Sequence, residues 1–173
     1  MGLRIVIGAD SAAVDYKEII KKDLEADERV EKVIDIGLNA GEDVDYPHVG
    51  IKGARMVAAG EVDRALLLCG TGIGMAIVAN KVPGIRASVG HDSFSVERLI
   101  KSNNGQVLTM GQRVIGIELA RRLVKEWLGY EFDPQSNSAR KVQLICDYEV
   151  PETDGETTPG TVSYTHLTLP TTP

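Results

Sequence analysis

The stretch Ala65-Leu66-Leu67-Leu68-Cys69-Gly70-Thr71-Gly72-Ile73-Gly74, ALLLCGTGIG, decides the architecture. It opens on an unbroken apolar run, Ala65–Leu68, as expected of a strand buried on both faces of a parallel sheet. The chain then turns glycine-rich, and a helical pattern spans Thr71–Asn80 before Pro83-Gly84 ends it. The same alternation extends in both directions. Toward the N-terminus, Leu3–Ile7 reads as a buried strand and Ser11–Ala26 as a helix with Ala13, Tyr16, Ile20 and Leu24 on one face. Val30–Ile36 is a further strand, and Pro47 opens a helix running to about Ala59. Toward the C-terminus, strands are expected at Ile85–Val89 and Gln106–Met110, separated by a helix over Ser93–Ser102. Leu119, Leu123, Val124 and Trp127 mark a strongly amphipathic helix, and Ala139, Val142, Ile145 and Cys146 a final one. Such alternation predicts an α/β fold, a three-layer α/β/α sandwich around a five-stranded parallel sheet. The sheet is expected to be doubly wound, Rossmann-like or flavodoxin-like, with its site beyond the carboxyl ends of the strands.

A chain of 173 residues suits one domain, expected over 1–150, with enough core to need no disulfide or metal staple. Residues 151–173 are rich in Thr, Pro and Gly, lack periodicity, and are expected to be a disordered tail. The end of this tail, VSYTHLTLPT, resembles the translation of a sequencing-library adapter, so about 161–173 is expected to be non-native. The net charge of −6 argues against nucleic acid or an anionic membrane as main partner. A phosphorylated small molecule stays open, because local groups decide its binding. Cys69 and Cys146 sit in no CxxC and beside no spaced histidines, so no zinc site is expected. A thiol in a glycine loop suits a reducing compartment, and the N-terminus reads as neither signal peptide nor membrane span, so the expected location is cytoplasmic.

The loop Cys69–Gly74 carries the chemistry. Its glycines let the backbone approach a ligand closely, and its N–H groups favour negative charge, whether phosphate, oxyanion or thiolate. A dinucleotide fingerprint is one reading, but the spacing here is GxGxG and it follows the third strand; Asp92 lies at the distance such a motif wants. A cysteine-phosphatase loop needs an Arg soon after the Cys, and Met75–Val78 supplies none. The remaining functional reading is an oxyanion hole beside an acid/base thiol. Against all of these stands a plain strand-to-helix turn with an inert, buried Cys.

Other polar groups punctuate the strand ends. Asp10 ends the first strand and would also serve as a helix cap. Asp45-Tyr46-Pro47-His48 follows the second, where His48 would equally be a solvated helix residue. Asn80 would pass as a C-cap, and Asn103-Asn104-Gly105 as an ordinary turn. Arg113, in Gly111-Gln112-Arg113, would bind an anion or pair with an acid.

Taken together, Asp10, the DYPH segment at Asp45–His48, CGTGIGMAIVANK at Cys69–Lys81, GIRA at Gly84–Ala87 and MGQRVIGIELA at Met110–Ala120 resemble the ribose-5-phosphate isomerase B / galactose-6-phosphate isomerase family. The resemblance covers about residues 3–149 and not the tail. It implies an aldose–ketose isomerase of carbohydrate metabolism, acting on a phosphorylated small sugar through a cis-enediolate. It implies neither metal nor organic cofactor, and a homodimer or homotetramer with active sites at the subunit interface. By the same resemblance Cys69 moves the proton between carbons, while Thr71 and Asp10 would handle hydroxyl protons or hold the sugar. Ser11, Tyr46 and the loop residues Gly70, Gly72, Ile73 and Gly74 would contact the substrate, Asn103 would reach it from the partner chain, and Arg113 would grip the phosphate. The alternative on this fold is a non-catalytic module that binds a sugar phosphate or a nucleotide.

The departures are informative. Where the family often has a His after the first Asp, this chain has Ser11; where it has a ring-opening His before the Asn, this chain has Ser102. The family's two phosphate-gripping arginines on the final helix correspond to Asn137 and Lys141, with Arg140 adjacent. A tetrose 4-phosphate has no free hydroxyl placed to close a furanose ring, so it needs no ring-opening base. The missing His therefore points to D-erythrulose 4-phosphate and D-erythrose 4-phosphate, with ribose 5-phosphate as the rival and His91 as the group that would then open its ring.

Overall fold

The structure is a computed structural model, and it describes residues 2–39 and 41–149. The tail expected over 151–173 lies outside the described residues. The elements run β1 (Leu3–Ala9), α1 (Val14–Glu25), β2 (Val30–Asp35), α2 (Tyr46–Ala58), β3 (Arg64–Cys69), α3 (Ile73–Ala79), β4 (Ala87–Val89), α4 (Ser93–Lys101), β5 (Val107–Gly111), α5 (Ile117–Leu128) and α6 (Asn137–Asp147). All strand pairs are parallel, in the order β2-β1-β3-β5-β4. This is the three-layer, doubly wound α/β sandwich that the alternation predicts. The outer strands stand β5 before β4, an exchange from the flavodoxin-like order, in which the fourth strand neighbours the third.

The side-chain period of a strand explains both cores. On one face Ile5, Ile7, Leu66, Leu68, Leu108 and Met110 pack against α1, α4 and α5, with Trp127 fully buried. On the other face Val6, Ala65, Leu67, Cys69 and Val107 pack against α2 and α3. Cys69 thus belongs to the α2/α3 face, at the carboxyl tip of the central strand. α2 lies close to that strand because of glycine: a Cβ on Gly53 would stand 2.9 Å from a Leu67 methyl.

Three elements begin two or more residues later than expected. α1 begins at Val14 because residues 11–13 form a turn, and the Asp10 carboxylate accepts the Ala12 N–H at 2.9 Å within that turn. Asp10 therefore does not cap the helix. α3 is shorter than Thr71–Asn80, because Gly72 adopts a left-handed conformation (φ 81°) that bars it and its predecessors from the helix. β4 begins only at Ala87, since residues 82–84 are spent in a turn. Asn80 is the C-cap of α3, and its amide does more. It donates to the Ala87 carbonyl and accepts the Ala87 N–H, both at 2.8 Å, so it pairs with the sheet's outermost strand.

The helical face read from sequence overlooked Lys17, which is fully buried. Its ammonium meets Asp35 and Glu18, each at 2.7 Å. Asp35 also receives Lys21 at 3.0 Å and the Gly37 N–H at 2.9 Å. Burial alone would push the Asp35 carboxyl up, but these donors outweigh it and hold it below the ordinary carboxylate range. Removing Lys17 leaves Asp35 with Lys21 and the Gly37 N–H as partners, so the loss is one charge-assisted bond and the packing of the buried lysine stem. Lys17→Ala is expected to cost about 1.5–3 kcal/mol of stability, read as a lower urea midpoint with an unchanged slope.

Candidate functional site

The sheet reverses its winding between β1 and β3, which opens a crevice at their carboxyl ends. Cys69 closes β3 and Asp10 follows β1, so they stand on the two sides of that crevice. Asp10 is tied to its neighbour: its N–H donates to the Leu68 carbonyl at 3.1 Å. Cys69 is only 5 % exposed, and its Sγ accepts the Gly72 N–H at 3.0 Å. The left-handed Gly72 aims that N–H back at the sulfur, which sets the thiol in one orientation. The Ile73 N–H is taken by Thr71 Oγ1 at 3.3 Å. The Gly70 and Thr71 N–H groups meet no acceptor among the described residues, so they remain as donors for a bound oxygen anion.

β5 and the turn after it support this loop from beside it. Gln112 N–H donates to the Cys69 carbonyl at 2.9 Å, and Arg113 N–H to the Gly70 carbonyl at 3.0 Å. The Arg113 side chain then lies across Gly70, where an added Cβ would sit 3.5 Å from its Cδ. The Asp10 carboxyl is pushed up by burial, with the Ala12 N–H and the Arg113 charge pulling the other way. A carboxyl so placed is readier to carry a proton than one in water. At the head of α3, the Tyr46 ring covers Gly74 so closely that a Cβ there would stand 2.6 Å from the ring. Cys69, Gly70, Thr71, Gly72, Ile73, Gly74, Asp10, Tyr46 and Arg113 thus gather at one edge of one chain. Ser11, exposed in the turn after Asp10, borders them. His48 lies exposed on the first turn of α2.

The remaining candidates stand elsewhere. Asn103 precedes β5, at the amino edge of the sheet, and its amide donates to the Arg98 carbonyl at 2.9 Å. It lines a cavity of about 610 Å³ with Asn80, Arg86, Arg98, Ile145 and Tyr148. Reading Asn103 as part of the same set of strand ends is corrected by this: within one chain it is on the opposite edge from Cys69. Asn137 and Lys141 are exposed on α6, whose last turns are fastened to that amino edge through Arg86 to Cys146 Sγ (3.5 Å) and Gly84 N–H to Glu149 (2.7 Å). His91 is not presented as a free base, because its Nε2 accepts the Gly111 N–H at 2.9 Å. Thr109 escaped notice in the sequence. It is fully buried and donates to the Gly72 carbonyl at 2.8 Å, which helps fix Gly72. A hydroxyl within the apolar run VLTMG was the available signal. No group of three or more His, Cys, Asp or Glu side chains is placed to hold a metal among the described residues, and no helix among them is long and apolar enough to cross a membrane.

The family model described as Ribose/Galactose Isomerase matches residues 5–145. The chain is 61 % identical over 150 residues to D-erythrulose-4-phosphate isomerase 2 of Mycolicibacterium smegmatis, covering 86 % of this chain and 99 % of that protein. It is 48 % identical over 148 residues to D-erythrulose-4-phosphate isomerase of Pectobacterium atrosepticum, covering 85 % and 95 %. It is 42 % identical over 146 residues to ribose-5-phosphate isomerase B of Escherichia coli, covering 84 % and 96 %. The solved structure of ribose-5-phosphate isomerase B from Clostridium thermocellum superposes with a TM-score of 0.80 at 39 % identity, covering 85 % of this chain and 97 % of that one.

The tightest contact at the site supplies a test. A Cβ on Gly111 would stand 2.5 Å from Thr71 Cα and 2.7 Å from the Gly70 carbonyl oxygen, both backbone atoms that cannot swing aside. Gly111→Ala is expected to destabilise the fold by about 1–3 kcal/mol and to displace the Cys69 loop. Thermal melting should report the first effect, and slower thiol alkylation or acceleration of it, against wild type, the second.

Proposed function

The chain belongs to the ribose/galactose isomerase family and is a sugar-phosphate isomerase interconverting an aldose and a ketose, and from that premise we propose that its substrate is the tetrose D-erythrulose 4-phosphate, converted to D-erythrose 4-phosphate with Cys69 as the proton carrier. The observation that carries the Cys69 role is geometric: a single buried thiol, oriented by the Gly72 N–H, beside two unused backbone donors, with Asp10 at the tip of the neighbouring strand and Arg113 lying over Gly70.

The chemistry follows from that arrangement. Cys69 as thiolate takes a proton from C1 of the ketose, leaving a cis-enediolate across C1 and C2. The Gly70 and Thr71 N–H groups stabilise the oxygen that carries the developing charge, the kind of preorganised interaction that contributes most to such a step. Asp10 and the Thr71 hydroxyl move the proton between the two oxygens. The thiol then returns its proton to C2, and the aldehyde forms at C1. Every proton removed is replaced, so the reaction consumes no co-reactant. Arg113, lying over Gly70, is placed to hold the phosphate.

The tetrose reading is supported by Ser102, which stands where a ring-opening His would be, and by the two erythrulose-phosphate relatives. An open-chain substrate needs no such base. Ser102 Oγ instead faces Arg98 at 3.4 Å.

A homodimer, the second part of the proposal, explains the amino-edge residues. Asn103 stands at the opposite edge from Cys69 in its own chain and would reach the site of a second copy, and Asn137 and Lys141, exposed on α6, would join it there. Ile73 and Ile77 on α3 are 56 % and 57 % exposed, and Tyr148 after α6 is 89 % exposed, so apolar surface remains on both edges for such a contact. The chain is proposed to work in the cytoplasm, where the thiol stays reduced.

Two measurements test these readings. Wild-type enzyme should turn over D-erythrulose 4-phosphate faster than ribose 5-phosphate; the opposite ranking removes the tetrose assignment. Cys69→Ala should lower turnover by about 10²–10⁴-fold with little change in melting temperature, and near-normal turnover would remove the thiol from the mechanism.

A further inference from the structure

His91 lies between the end of β4 and the N-cap of α4, and nothing in the proton transfer above uses it. The chain there continues the sheet by a short way: Gly90 N–H donates to the Thr109 carbonyl at 3.0 Å. The imidazole then reaches over the tip of β5, and its Nε2 accepts the Gly111 N–H at 2.9 Å. An accepting Nε2 places the proton on Nδ1.

Gly111 is the point where the supporting strand bears on the reactive loop. It pairs with Cys69 across the β3–β5 ladder, and Thr71 Cα lies within 2.5 Å of where its Cβ would be. The two residues after it donate to the Cys69 and Gly70 carbonyls. A group that sets the plane of the Gly111 peptide therefore sets three things together: the seat of Thr71, the carbonyls of the loop, and the departure of Arg113 toward Gly70.

We propose that His91 is a positioning residue of this isomerase, a hydrogen-bond acceptor that locks the Gly111 peptide and through it the Cys69–Thr71 loop and Arg113. This rests on the isomerase reading above. It also differs from a role in ring opening, because the nitrogen that would take a proton is occupied by a backbone N–H. Burial holds the imidazole below its ordinary range against the pull of the neighbouring Asp92, which keeps Nε2 an acceptor near neutral pH.

The test compares purified His91→Leu and His91→Gln with wild type, on whichever sugar phosphate wild type turns over fastest, so a wrong substrate assignment does not enter. Leu fills the space without an acceptor. Gln can bring Oε1 to the position of Nε2. A loop misplaced by about 1 Å loses up to roughly 10²-fold in rate, so His91→Leu is expected to lower kcat by about 10–100-fold with a melting temperature near wild type, and His91→Gln to recover most of that loss. Full activity in His91→Leu would overturn the proposal. So would a His91→Gln enzyme as slow as His91→Leu, since that would make the imidazole itself a proton carrier. If His91→Leu does not fold, His91→Asn takes its place, because its amide is too short to reach Gly111. A His91→Asn enzyme slower than His91→Gln supports the positioning role, and equal rates overturn it.

Discussion

The constraint on which the rest depends is the backbone contact between the tips of β3 and β5. The ladder pairs Cys69 with Gly111 and continues past the strands, as Gln112 and Arg113 donate to the Cys69 and Gly70 carbonyls. Only a residue without a Cβ permits this approach, because Thr71 backbone occupies the space a side chain would need. The loop is thus not a free glycine tether. Its Cys69, Gly70 and Gly72 carbonyls are taken by β5 and the turn after it, which leaves the Gly70 and Thr71 N–H groups as the donors that the proposed enediolate would use.

The strands on either side extend that logic. Thr109, a hydroxyl inside an otherwise apolar strand, holds the Gly72 carbonyl. Gly72, in its left-handed conformation, returns its N–H to Cys69. Across the crevice, α1 is tied to the same turn: Tyr16 N–H meets Gln112 Oε1 at 3.3 Å, and the Tyr16 hydroxyl meets the Ile115 carbonyl at 2.9 Å. One hydrogen bond, from the Gly72 N–H, reaches the thiol itself, and the others hold the backbone around it. A chain with a net charge of −6 can still suit a phosphorylated substrate, because Arg113 lies across the loop itself.

The two edges of the sheet have different duties. The carboxyl edge carries the thiol, the acid and one arginine. The amino edge carries Asn103 and receives α6, whose described apolar side chains Leu144 and Ile145 are left largely exposed. The proposed second copy would bring Asn103 to the edge that carries the thiol.

The sequence by itself determined the fold class, the order of elements, and the reactive segment. Those follow from local physics: a run such as ALLL is suited to burial on both faces, and the glycines of CGTGIG permit a tight turn with close backbone approach. The motif series by itself resembles the isomerase family. Only the tertiary structure decided the strand order β5 before β4, the burial of Lys17, the edge on which Asn103 lies, and the engagement of His91 with Gly111. These are long-range pairings, and no periodicity encodes them. His91 and Gly111 are twenty residues apart, and their contact exists because β4 pairs with β5 in one register. Lys17 falls on a face that the apolar pattern marks as core, and it is tolerated there because β2 brings Asp35 within 2.7 Å.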